Sequence, residues 1–364
     1  KRILAEDFSS LPNRRTPKFN DPVLDHMMSM APVERWRDIR VAVTHVFSTT
    51  NLRKMDALIE ECALVTAGHL KKAASKEEDI ELRKFFGDYA LNLIARCVFG
   101  MKLDSHSDKT SEFIIRSRQA PSGRVTPRVL VYFLFPAIAR ATGLRPLKPS
   151  VLQYFRTVYQ NIINSKLENQ PEDGNFLHLL MGAKEEHADA PESFFARDHR
   201  LFNLDSHVKQ GASLPSNKKL TEDQAMAQCL LFFIVGQQTT ARAVAYTLYL
   251  LAIHPDVQEK LRDEVDKCFA SHGNHPNLEA VTKLKYLHCV VSESLRMSPP
   301  VSRLERTAVR DYVLGDTGVK LKKSDLVTIP VHAMHYDPEY FRDPLTFDPE
   351  RFNEQNAASI QPYT

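Results

Sequence analysis

The chain has 364 residues, 48 Lys and Arg against 45 Asp and Glu for a net charge of +3, and 43% apolar against 26% charged residues. These proportions exclude a disordered chain, which needs low hydrophobicity and high net charge, and a strongly basic nucleic-acid binder. A glycine count of 12 is low for this length and favours helix over a turn-rich β fold.

The five cysteines, Cys62, Cys97, Cys229, Cys268 and Cys289, are scattered and form no C-x-x-C pair. Neither a disulfide framework nor a zinc site is expected, and a reducing compartment fits. The longest apolar runs, residues 129–139 and 229–235, fall short of the roughly 20 residues that cross a bilayer.

In chain order, residues 31–44 carry a helical start. Residues 53–72 place Met55, Leu58, Ile59, Cys62 and Val65 at helical spacing, and residues 82–99 repeat the pattern. Residues 151–167 predict another amphipathic helix, with Ser150 as its N-cap. Residues 171–219 mix Gly, Pro, Ser, Asp and His and predict an exposed connection. Thr221 and Gln224 then fit a capping box, opening a helix that runs over 222–253 until His254-Pro255 stops it. A helix from Asp256 to before Gly273 follows, and then one over 282–297 closed by Pro299-Pro300. Residues 307–314, 319–321 and 326–331 predict short strands with a turn at 315–318. The expectation is one mainly α domain with a small β-sheet, short strands over 304–335 and an irregular segment over 336–364.

Two features point to chemistry. The long apolar helix is interrupted by Gly236-Gln237-Gln238-Thr239-Thr240. Buried amides and hydroxyls cost free energy unless paired, so the patch implies either helix–helix hydrogen bonds with a kink, or a cavity holding a flat ligand beside Gly236 and something small and polar at Thr239. Second, Glu293 and Arg296 share a helix face among apolar neighbours, and Pro349-Glu350-Arg351-Phe352 supplies another arginine. A carboxylate between two guanidiniums can form a closed, fully bonded network. The single tryptophan, Trp36, has Arg40 one turn later. The histidines show no metal-ligand spacing, and His332 and His335 read as structural.

Gly236-x-x-Thr239-Thr240, Glu293-x-x-Arg296 and Pro349-Glu350-Arg351-Phe352, in this order, resemble the cytochrome P-450 family of haem-thiolate monooxygenases. So do Trp36-x-x-x-Arg40, Ala252-x-His254-Pro255 and His335-x-Asp337-Pro338. The likeness covers essentially the whole chain and is greatest to the microsomal xenobiotic and thromboxane-synthase-like clan. It implies the cytochrome P-450 fold, with Trp36, Arg40, Arg306 and Arg14 on the haem propionates. Gly236 would let the long helix pass close to the haem face. Thr239 would hydrogen-bond oxygen at the haem and help deliver protons, with Gln238 and Thr240 beside it. Ile234, Val235 and Val301 would line the substrate pocket. Glu293, Arg296 and Arg351 would form a structural triad.

The resemblance also implies haem, O2, an apolar small-molecule substrate, an NADPH-dependent flavoprotein reductase and the cytosolic face of the endoplasmic reticulum membrane. Two departures stand out. The family's ligating cysteine, in a Phe-x-x-Gly-x-Arg-x-Cys-x-Gly loop, would lie beyond Thr364. The chain then reads as incomplete at both ends, without an N-terminal anchor, and as inactive by itself. Further, Gln238 stands where the family usually has an acid, and an amide cannot titrate. A same-fold peroxide isomerase or dehydratase that needs no reductase is therefore an alternative, and a haem-free binding protein is another. The run at 129–139 would either dip into a membrane interface or pack as a buried helix pair.

Overall fold

The computed structural model describes residues 2–15, 21–47, 49–119, 127–135, 138, 141–142, 144, 147–168, 176–182, 220–273 and 276–361. Its helices are α1 (Val33–Val46), α2 (Thr49–Ser75), α3 (Leu82–Phe99), α4 (Glu112–Gln119), α5 (Pro127–Leu134), α6 (Pro149–Glu168) and α7 (Phe176–Gly182). They continue with α8 (Glu222–Ile253), α9 (Pro255–His272), α10 (Leu278–Val281), α11 (Lys285–Met297) and α12 (Val331–His335).

The central element is α8, 32 residues long, or about 48 Å at 1.5 Å per residue. Its start is fixed by the capping box: Thr221 Oγ1 accepts from Gln224 N at 3.2 Å, and Gln224 Oε1 accepts from Thr221 N at 2.9 Å. It ends where Pro255, lacking an N–H, opens α9. The helix packs most extensively along α3. That helix stops at Gly100, whose left-handed φ of 70° lets its N–H reach Arg96 O while Met101 N–H reaches Ala95 O.

The main core lies between α8, α3, α4 and α6. Phe233 sits at its centre, with ring centroids 4.9 Å from Phe155, 5.6 Å from Phe113 and 5.8 Å from Phe99. A neighbouring set joins Phe232 to Phe47 and Phe176 at 5.2 and 4.8 Å. A smaller core holds α9 and α11 against the end of α8 through Leu250, Leu251, Val257, Leu261 and Val290.

The small sheet is two antiparallel pairs. β1 (Leu304–Thr307) pairs with β4 (Leu326–Ile329), Leu304 opposite Ile329, and β2 (Tyr312–Val313) pairs with β3 (Lys320–Leu321).

Several expectations need correction. Ser150 lies inside α6, which starts at Pro149, a residue suited to a first helical turn. Within the expected connection at 171–219, residues 176–182 form α7, whose Phe176, Leu177 and Leu180 are buried in the main core. The rest of that stretch lies outside the described residues. The helix expected over 282–297 starts three residues later, as α11 from Lys285, and a separate short α10 capped by Asn277 precedes it. The strand expected over 307–314 divides into the end of β1 and the separate β2. The stretch 331–335 is helical, and the segment after it contains 3-10 turns at Pro349–Phe352 and Ala357–Ser359. In the 129–139 run, Leu130, Leu134, Phe135 and Ile138 are exposed, which disfavours a buried helix pair; residues 136, 137 and 139 lie outside the described residues. No described helix is long and apolar enough to cross a membrane.

Because Phe233 is fully buried among three other rings, Phe233→Ala should destabilise the fold by about 3–5 kcal/mol. Urea unfolding checks this, and a loss near zero would contradict the packing.

Candidate functional site

Glu293 is 0% and Arg296 2% exposed. Arg296 donates from Nε to Glu293 Oε2 at 2.7 Å and from Nη2 to Glu293 Oε1 at 2.9 Å, a bidentate pair. Glu293 Oε1 also accepts from Arg351 Nε at 3.3 Å and from Asp348 N at 3.0 Å. The spare guanidinium donors go to backbone: Arg296 Nη1 to His335 O at 2.7 Å, Arg351 Nη2 to Asp343 O at 2.8 Å, and Arg351 Nη1 to Arg342 O. Burial pushes the His335 pKa down, against the pull of its bond to Arg296 O at 2.9 Å. The neutral ring thus donates from Nδ1. The network ties α11 to α12 and to the 3-10 turn at Pro349–Phe352. Glu350 of the same turn faces outward and pairs with Lys260 of α9, a link the motif alone did not suggest.

A second group of arginines has the opposite character. Arg14, Arg40 of α1 and Arg306 of β1 approach one another closely enough that Arg14 depresses the pKa of both others, after burial as the larger cause. Arg14 and Arg40 are exposed and Arg306 is half-buried. Arg306 Nη1 donates to Glu305 O at 2.8 Å, but its buried Nε has no acceptor. Among the described residues, no carboxylate pairs with Arg14, Arg40 or Arg306. The nearby Glu305 is engaged by Arg15 at 3.3 Å and Arg303 at 3.4 Å. One turn before Arg40, Trp36 is half-buried against the main core, its ring 5.9 Å from Phe8.

Asn13, which the sequence did not single out, brings these pieces together. Its backbone bridges to Thr307 at the end of β1, with Thr307 N–H donating to Asn13 O at 2.7 Å. Its side-chain Oδ1 accepts from Val33 N at 2.9 Å, capping α1. Arg14 follows directly, so one residue sets it between β1 and α1. No local pattern marks an asparagine whose partners lie in two distant elements.

At the polar break α8 stays helical, and its faces separate the predicted residues. Thr239 Oγ1 donates to Val235 O at 2.7 Å, one turn back. Val235 is 47% exposed, and Gln238 and Thr239 on the same side of α8 are half-buried, so this face is open. Successive residues point about 100° apart, which sends Ile234 against the main core and Gln237 into burial. At Gly236 a Cβ would stand 2.6 Å from Ile94 Cδ1 of α3. The missing side chain serves the α8–α3 contact. Thr240 and Gln238 are half-buried, and Val301, in the loop before β1, is exposed.

The cysteines stand apart from this arrangement. All five lie in helices and none is in a disulfide. Burial raises the Cys97 pKa to about 12 and, with Glu350 and Glu264 nearby, that of Cys289 to about 11. Burial also raises the pKa of Cys62.

The family model for cytochrome P-450 matches residues 2–364. A probable cytochrome P-450 6a14 of Drosophila melanogaster is 27% identical over 371 residues, covering 100% of this chain and 69% of its own length. Cytochrome P-450 9c1 of the same organism is 30% identical, covering 100% and 69%. Cytochrome P-450 3A31 of Mesocricetus auratus is 28% identical, covering 100% and 68%. The chain belongs to the cytochrome P-450 family, haem-dependent oxidoreductases that incorporate molecular oxygen. The donor set fits that cofactor: two propionates would give the arginine cluster the carboxylates it lacks and Arg306 Nε an acceptor.

Removing one partner from a closed buried ion network leaves the others uncompensated. Glu293→Ala should cost about 3–5 kcal/mol, read by chemical unfolding, with Glu293→Gln intermediate. A loss below about 1 kcal/mol would be that of an exposed pair and would contradict the burial.

Proposed function

We propose that the chain is the larger part of a microsomal-type monooxygenase that inserts one oxygen atom into an apolar small molecule, with electrons from NADPH through a flavoprotein reductase. The single observation that carries the reading is the cluster of Arg14, Arg40 and Arg306. Arg306 Nε is buried with no acceptor beside Arg14, and guanidiniums suit carboxylates in geometry and permanent charge. Haem supplies the oxygen and redox chemistry when bound.

The residues of this chain divide the remaining tasks. Arg14, Arg40, Arg306 and the indole N–H of Trp36 hold the propionates. Val235 and Val301 offer apolar surface to the substrate. Thr239 keeps its hydroxyl proton on Val235 O, and its oxygen lone pairs remain free to accept; rotation about χ1 would let it donate instead. Gln238, on the same open face, can orient a water through its amide but cannot release a proton. Proton passage on this side therefore rests on Thr239 and water. Glu293, Arg296 and Arg351 do not touch the reacting atoms; they hold the segment of residues 335–352 against α11.

A thiolate ligand to the haem would come from a cysteine other than the five of this chain, all of which lie within helices. Association with the endoplasmic reticulum membrane, cytosolic side, agrees with the exposed apolar residues Leu130, Leu134, Phe135 and Ile138.

Gln238 is the one feature that favours a second reading, a same-fold isomerase or dehydratase acting on peroxides. Turnover by the full-length protein separates the two: dependence on NADPH and reductase supports the monooxygenase, and turnover of an organic hydroperoxide without either supports the isomerase. For the cofactor site, Arg40→Gln and Arg306→Gln should each weaken haem binding by about tenfold or more, the weight of one charge-assisted hydrogen bond. Spectrophotometric titration of the full-length apoprotein with haem measures this. Unchanged affinity in both variants would contradict the assignment.

A further inference from the structure

We propose that Gln228 is a positioning residue that fixes the strap of residues 21–31, and through it Trp36 and Arg40, against α8. Gln228 lies two turns into α8 and is 0% exposed. A helix position facing a core ordinarily carries an apolar side chain, because a buried amide is costly unless fully bonded. Here the amide is used at both ends. Its Oε1 accepts from Met28 N at 3.0 Å, and its Nε2 donates to His26 O at 2.8 Å and to Gln224 O at 3.0 Å. Two of the three partners are backbone groups of the strap, some 200 positions away in sequence. One side chain therefore supplies a donor and an acceptor to consecutive turns of a segment that has no sheet to bond.

The strap is stiff enough to transmit that placement. Asp21 Oδ1 accepts from Val23 N at 3.0 Å and Leu24 N at 3.2 Å. Met27 O accepts from Met30 N and Ala31 N, both at 2.9 Å. Val23, Leu24, Met27 and Ala31 are buried in the main core. Only Pro32 separates Ala31 from α1, and Pro32 O accepts from Trp36 N at 2.8 Å. The path from Gln228 to the indole is thus continuous through packed and hydrogen-bonded groups. The polar break begins eight residues further along α8, about 12 Å away at 1.5 Å per residue. Gln228 consequently sets where the tryptophan and arginine of α1 stand relative to the open face of Val235 and Thr239.

The haem readout below rests on the proposed cofactor site; the exchange readout does not. The test uses the full-length, haem-loaded protein with Gln228→Met, which keeps the volume and removes all three bonds. Gln228→Glu keeps the acceptor for Met28 N–H. Leu261→Ala, in the separate core of α9 and α11, serves as the control for general destabilisation. Amide exchange is followed by mass spectrometry, and haem release by transfer to excess apomyoglobin.

Gln228→Met should speed exchange in residues 21–31 by about tenfold, the weight of one net hydrogen bond, and leave α9 and α11 unchanged. Haem transfer should quicken by about three- to tenfold, and by at least as much in Gln228→Glu, whose carboxylate faces the carbonyls of His26 and Gln224 without a donor. Leu261→Ala should speed exchange in α9 and α11 without releasing haem. Exchange at 21–31 that stays at the wild-type rate, or that rises uniformly over the whole chain, would overturn the proposal. Should Gln228→Met fail to fold, the same comparison with Gln228→Glu decides. If wild type binds no haem, the cofactor site fails, while the exchange pattern still decides the role of Gln228.

Discussion

The architecture turns on one carboxylate withdrawn from water. Glu293 accepts from two guanidiniums and a backbone N–H, and both guanidiniums spend their remaining donors on carbonyls of residues 335–346. Such a network adds little net stability over well-packed apolar groups, so its main consequence is positional. Only one placement of α11, α12 and the turn at Pro349–Phe352 satisfies every donor. β1 leaves α11 after a short loop and pairs with β4, which runs into α12. The strand carrying Arg306 is therefore tied at its Leu304 end, through the chain and through Ile329 of β4, to the same buried ion.

The protein holds its arginines in two contrasting ways. Arg296 and Arg351 share one carboxylate and have an acceptor at every guanidinium nitrogen, whereas Arg14 stands near both Arg40 and Arg306 and a buried Arg306 Nε has no acceptor. Local electrostatics is satisfied where the fold needs rigidity and violated where a charged partner is to arrive. Departures from local consistency concentrate at functional sites for this reason. Burial of Arg306 makes the violation larger than a surface cluster would, and raises the gain when carboxylates enter.

How much was legible in the sequence follows from how local each signal is. The bounds of α8 were readable because Thr221, Gln224 and Pro255 act within a single turn, and α3 was readable because its apolar period and Gly100 lie in one short stretch. The buried triad was found from the order of motifs, even though each motif alone is weak. Side-chain direction was not readable in the same way. Gly236 and Ile234 border the polar break in sequence, but rotation along the helix aims one at Ile94 and the other at the core. Helix α7 was hidden in a polar stretch because its Phe176 and Leu177 only make sense against Phe47 and Phe232. Asn13 and Gln228 carry no signature at all, since their partners are backbone groups in distant segments.

The central claim is that the arginine cluster exists to receive the two carboxylates of a flat cofactor. The most direct measurement compares binding of haem and of haem dimethyl ester to the full-length apoprotein at low salt. Esterification keeps the ring, the iron and the shape, and removes only the charges. The account predicts that the ester binds at least about 100-fold more weakly, the combined weight of two charge-assisted contacts, and that salt narrows the gap. Equal affinity for the two would contradict it.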